Sequence, residues 1–223
     1  STLSSSSAAS DVYKRQDYAD ALRFISYYIY GHLRGLGGLA EPKVLFVAPI
    51  GGFSPDEPKS FRYIHDFENK TVAQIEAELT EWLVTSQKIT DFNAFFDKVK
   101  NLIQKKNLIL TPVSIIIVSD GEPTKLSPDK KRVMKAGYSE INVNSLEYLA
   151  RNITVRLLYP SPVVAEKWET EVPRNRVRMW TVDNQVMAGW KQKVVDGKRE
   201  EEQAELWRWI KDIVDFRVRR RAF

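Results

Sequence analysis

The run Val113-Ser114-Ile115-Ile116-Ile117-Val118 constrains the fold more than any other stretch of the chain. β-branched side chains are stiff in a helix and pack well on a pleated surface, so the run predicts a strand. It stops at Ser119-Asp120-Gly121, a turn signal. Lys43 to Pro49 (KVLFVAP), between Pro42 and Gly51, is a second short apolar run of the kind buried on both faces of a sheet. Ile153 to Tyr159 and Arg176 to Val182 are further strand candidates, and Phe61 to Phe67 is a weakly patterned one. Gly51 to Ser60 is a loop by composition.

Helical periodicity fills the intervals. Asp17 to Leu36 places Ala21, Leu22, Ile25, Tyr28, Ile29 and Leu33 at three- and four-residue steps, and the glycines Gly35, Gly37 and Gly38 end it. Thr71 followed by Gln74 is a capping signature, and Val72, Ile75, Leu79, Trp82 and Leu83 form the stripe behind it. Asp91 to Lys106 carries Phe92, Phe95, Phe96, Val99, Leu102 and Ile103 on one face. Ser139 to Asn152 and Glu200 to Val218 are expected as the remaining helices, and Gln185 to Lys198 shows no pattern. Strands that alternate with helices predict an α/β fold, a doubly wound and mostly parallel sheet with helices on both faces. Residues 17–223 are expected to form one domain.

The full sequence has 223 residues, 43% hydrophobic and 28% charged, which is the balance of a soluble globular chain. No apolar run is long enough to span a bilayer. The absence of cysteine excludes disulfides and thiolate metal sites. The net charge of +5 is concentrated at Arg217, Arg219, Arg220 and Arg221. A solvated helix end accounts for that cluster, so nucleic acid is not the expected partner. The sequence does not fix a compartment.

Residues 6–16, SSAASDVYKRQ, match one reading frame of a transposase adapter used in sequencing libraries. Residues 1–16 are therefore expected to be an adapter-derived or disordered leader rather than part of the fold. The protein proper would then start near Asp17.

Two segments stand apart from the scaffold. Ile89-Thr90-Asp91-Phe92-Asn93-Ala94 is a loop turning into a helix. Ile115 to Thr124 (IIIVSDGEPT) is a buried strand running into a loop. In open α/β sheets the functional site lies beyond the carboxyl ends of the strands, where Asp120 is expected. In their order and in the elements around them, the two segments resemble the second and third parts of the metal-ion-dependent adhesion site of von Willebrand factor A (vWA) domains.

That resemblance implies a vWA or Rossmann-like fold and a divalent-metal-dependent protein-binding module rather than an enzyme. It assigns Thr90 and Asp120 as ligands of Mg²⁺, or of Mn²⁺ or Ca²⁺. Asp91, Gly121 and Glu122 become loop or supporting residues. The partner would be a protein offering an acidic residue to the ion's open position. The physical chemistry agrees, since a hard cation takes oxygen ligands from carboxylates and hydroxyls. The family's first part, a DxSxS motif after the central first strand, is absent from this sequence. The resemblance therefore implies a sheet without that strand and a weakened or lost metal site.

Other readings compete with it. Thr90 would also serve as a cap of the helix starting at Asp91, and Asp120 as a turn former with Gly121. His32 and His65 are isolated, with no zinc pair. A Mg²⁺-dependent phosphohydrolase would need a DxDx[TV] nucleophile motif, which is not found. A metal-independent vWA-like scaffold needs no ligand set at all.

Overall fold

The structure, a computed structural model, describes residues 5–39, 46–47, 62–83, 90–109, 113–129, 132–148 and 153–215. Along the chain come α1 (Ser5–Leu33), β1 (Phe46–Val47), β2 (Arg62–Tyr63), α2 (Val72–Leu83) and α3 (Phe92–Lys105). Then follow β3 (Val113–Val118), β4 (Thr124–Leu126), β5 (Val133–Lys135), α4 (Asn144–Glu147) and β6 (Ile153–Leu158). The last elements are α5 (Pro162–Thr170), β7 (Arg178–Val182), α6 (Asn184–Met187) and α7 (Ala204–Trp209). The chain divides into two compact units. One holds α1, β1, β2, α2 and α7; the other holds α3 to α6 and β3 to β7.

The second unit carries a three-stranded parallel sheet in the order β3-β6-β7. Ile115 pairs with Val155, which pairs with Met179; Ile117 pairs with Leu157, which pairs with Thr181. Side chains alternate along a strand, so these residues share a face. All of them except Thr181 are buried. Helix α5 holds that face from β7, where the Thr181 hydroxyl donates to Glu169 Oε1 at 2.6 Å. The opposite face carries Ser114, Ile116, Arg156 and Trp180, with Arg156 Nη1 donating to Ser114 Oγ at 3.1 Å. The fold is mixed α/β with a small parallel sheet, as the alternation of strand and helix patterns predicts.

In the first unit the Thr71 signature forms in full. Gln74 N–H donates to Thr71 Oγ1 (3.3 Å) and Thr71 N–H donates to Gln74 Oε1 (2.9 Å). Val72, Ile75 and Leu79 are buried behind it. The buried part of α1 is wider than the expected stripe and takes in Phe24, Tyr27 and Tyr30. Phe24 and Tyr27 each pack on Trp190, with centroids 5.9 Å apart.

Four expectations are corrected. Helix α1 begins at Ser5, well before the start expected at Asp17; from Ser5 to Tyr30 it has neither Pro nor Gly to stop it. The KVLFVAP run does not join the parallel sheet in its described part: Phe46 and Val47 pair antiparallel with Tyr63 and Arg62. Ser139 to Asn152 is not one helix but a 3₁₀ turn at Tyr138–Glu140 and the single turn α4. Polar side chains there take the backbone donors that a helix would use, Glu140 Oε1 from Gly137 N–H (2.8 Å) and Asn142 Oδ1 from Asn144 N–H (2.8 Å).

The closing helix is broken as well, into a 3₁₀ turn at Glu200–Glu202, α7, and a π turn at Ile210–Val214. The break falls at buried Gln203, whose side chain closes a loop by donating to Val195 O (2.8 Å) and accepting from Val195 N–H (2.7 Å). The Gly51–Ser60 loop, Ile89 and the arginines from Arg217 to Arg221 lie outside the described residues.

Candidate functional site

Strand β3 delivers Ser119, Asp120 and Gly121 beyond its carboxyl end. Ser119 N–H donates to Leu158 O (3.1 Å), extending the ladder with β6 by one residue. The chain then turns on Gly121, at φ 74°. Ser119 Oγ accepts from Gly121 N–H at 3.1 Å. Asp120 Oδ1 accepts from Glu122 N–H at 3.1 Å and from the Ser119 hydroxyl at 3.3 Å. Asp120 therefore forms the turn expected of Asp-Gly while its side chain stays exposed.

Burial fixes the turn from below. Gly121 O accepts the indole N–H of Trp168 at 2.8 Å, and Trp168 has no exposed surface. The edge of Phe92 meets Trp168 at 4.8 Å between centroids and 84° between planes. A Cβ on residue 121 would lie 2.8 Å from Leu157 Cδ2, 2.9 Å from Val164 Cγ1 and 3.0 Å from Trp168 Nε1. Glycine is required both by the left-handed backbone and by this space.

The second segment meets the first directly. Thr90 N–H donates to Thr124 Oγ1 (2.6 Å), and Thr124 N–H donates to Thr90 O (3.2 Å). Asp91, not Thr90, caps α3: its Oδ1 accepts from Ala94 N–H at 3.0 Å. Its carboxylate also sits favourably at a helix N-terminus. Asn93 fastens the start of α3 to the loop before α4, donating to Glu140 O (3.0 Å) and accepting from Asn142 N–H (2.7 Å).

Two cations and a tyrosine border the acidic turn. Lys135 Nζ pairs with Glu122 Oε2 at 2.9 Å, both side chains being well exposed. Its hydrogen bond to Glu122, then the charges of Glu122 and Asp120, push the Lys135 ammonium pKa up. Burial pushes the Tyr138 phenol up, with the charges of Glu122, Asp120 and Glu171 adding to it. Lys167 Nζ lies 5.4 Å from the centre of the Tyr138 ring.

The described residues bring together Asp120, Gly121 and Glu122 in one turn, and Thr90 and Asp91 on a neighbouring strand-to-helix junction. They contain no group of three or more His, Asp or Glu side chains arranged to hold a metal ion. Asp120 and Thr90 alone fall short of the octahedral oxygen shell that Mg²⁺ prefers. His32 and His65 belong to the other unit. What the site offers is an exposed carboxylate on a rigid turn, next to an ion pair that reaches into solvent.

Sequence reasoning missed five participants: Asn93, Thr124, Lys135, Tyr138 and Trp168. Thr124 and Asn93 stand inside the two quoted segments, and only their partners were unknown. Trp168 reads as an ordinary core residue, and nothing marks Lys135 or Tyr138.

The fold and the site define a mixed α/β protein with a loop cluster at the carboxyl edge of a parallel sheet. No family model, curated protein or solved structure matches the chain.

Proposed function

We propose that this chain is a protein-binding module of the vWA type, with Asp120 and Thr90 in two of the three segments of a metal-ion-dependent adhesion site. The observation that carries the reading is the two-way hydrogen bonding of Thr90 and Thr124. It joins the ITDFNA and SDGEPT segments, far apart in sequence, beside the end of the half-buried parallel strand β3. Such a place is where open α/β sheets keep their sites.

Asp120 and Thr90 would hold the divalent cation, which would supply a Lewis-acidic bridge to a partner's carboxylate. With so few donors the affinity is expected to be weak, on the order of millimolar. Titration of Mn²⁺ into the full chain, followed by electron paramagnetic resonance, tests this. Weak saturable binding that Asp120→Asn removes is expected. Asparagine keeps an acceptor for the turn and removes only the charge. Equal Mn²⁺ signals from the two proteins would remove the ion from the reading.

A second reading, a vWA-like scaffold that binds its partner without metal, is favoured by one observation. The second acid of the turn, Glu122, already has a cation, the Lys135 ammonium. The phosphohydrolase alternative gains no supporting contact.

A further inference from the structure

Among the described residues, the hairpin that follows the acidic turn has one edge that no other strand pairs with. Strands β4 and β5 pair antiparallel, Thr124 with Lys135 and Leu126 with Val133. Ser127 N–H donates to Arg132 O (2.8 Å) and Ala136 N–H donates to Pro123 O (2.9 Å). Antiparallel ladders alternate, so Met134 also faces its partner Lys125. Val133 and Lys135 then turn their N–H and C=O groups away from β4. Among the described residues β4 is the only strand paired with β5. On the other side, Thr124 of β4 is engaged by Thr90.

The side chains of this edge are those of a recognition strand. Val133 is 41% exposed and Met134 43%. From Thr124 to Ala136 the sequence carries five basic residues against a single acid, Asp129. Lys125 lies on β4 and pairs with Glu140, and Lys135 pairs with Glu122. Residues 130 and 131 lie outside the described residues, and Arg132, exposed just before β5, is the cation this edge offers a partner. A second copy of the hairpin would set basic residues against basic residues, which costs pairing energy. An extended acidic strand meets opposite charge, unpaired backbone groups and two exposed apolar side chains together.

We infer that the outer edge of β5 docks an extended, acidic segment of a partner protein by strand addition. This deepens the protein-binding reading above and rests on it. The geometry divides the labour: backbone groups of Val133 and Lys135 hold the segment, Val133 contacts its apolar positions on one face, and Arg132, on the opposite face with Met134, meets its carboxylates.

Fluorescence anisotropy on the full chain, in EDTA, tests it with a labelled peptide alternating glutamate and valine. Saturable binding is expected, and none for the same peptide with lysine in place of glutamate. N-methylation of alternate peptide amides is expected to abolish binding. Val133→Pro removes one outward N–H at an edge position that tolerates proline, and Arg132→Glu reverses the charge without touching the ladder. Each is expected to weaken binding by about tenfold or more.

Failure of the glutamate peptide to saturate would overturn the inference. So would unchanged affinity in both variants, or a dimer of the free chain that Val133→Pro dissolves. Repetition in Mn²⁺ separates the two proposals. Binding that needs Mn²⁺ and Asp120 but ignores both hairpin variants leaves the adhesion-site reading and sinks the strand-addition one. Loss in the hairpin variants with no response to Mn²⁺ does the reverse.

Discussion

At Gly121 the backbone oxygen is held by the indole of a fully buried tryptophan, and no room is left for a methyl group. A little further along, β5 shows solvent three consecutive exposed residues, Val133, Met134 and Lys135, and its lysine is held by an ion pair open to water. The turn and the hairpin are covalent neighbours with opposite means of support. Burial and backbone geometry make the turn rigid, whereas exposed ion pairs lend the hairpin little stability, since solvent and salt screen them. A rigid turn suits a residue that must present a carboxylate in one place. An open edge suits contact with something outside the chain.

Gly121→Ala should have the largest effect on this contrast. Left-handed backbone and overpacking against Leu157, Val164 and Trp168 together cost roughly 2–5 kcal/mol. A urea melt of the variant should show a sharply lower midpoint. An unchanged midpoint would mean that the turn is not held as described. Lys135→Met lies at the small end. It removes the Glu122 pair from a side chain that is 79% exposed, and the melting midpoint should not move measurably. A large loss there would make the hairpin a structural element rather than a free edge.

Legibility in the sequence followed the same division. Helix α3 is readable because Phe92, Phe95, Phe96, Val99, Leu102 and Ile103 repeat at helical spacing, and all but the half-buried Leu102 are buried. Strand β3 was readable to the residue, because an unbroken β-branched run has few other uses. The strands β4 and β5 were not readable, being three residues each with no alternation to detect. Helix α5 carries a local start signal, Ser161 capping with Pro162 in the first turn. Of the site, the two segments were visible but their bonding was not. The roles of Trp168 and Thr124 depend on tertiary contacts that no local spacing encodes. Gln203 is a local case, its side-chain bonds to Val195 and Lys198 in the loop just before it interrupting a helix that its neighbours favour.

The claim on which the account turns is that the Thr90 and Thr124 segments form one cluster, and amide hydrogen exchange at Thr90 tests it most directly. The account predicts slow exchange of the Thr90 amide in the unaltered chain. In Thr124→Val, which loses the Oγ1 acceptor, exchange should be about tenfold faster, the kinetic image of one lost hydrogen bond. A Thr90 amide that exchanges in the unaltered chain as fast as an unstructured peptide would contradict the account. It would separate the two segments and leave Asp120 as the end of a strand and nothing more.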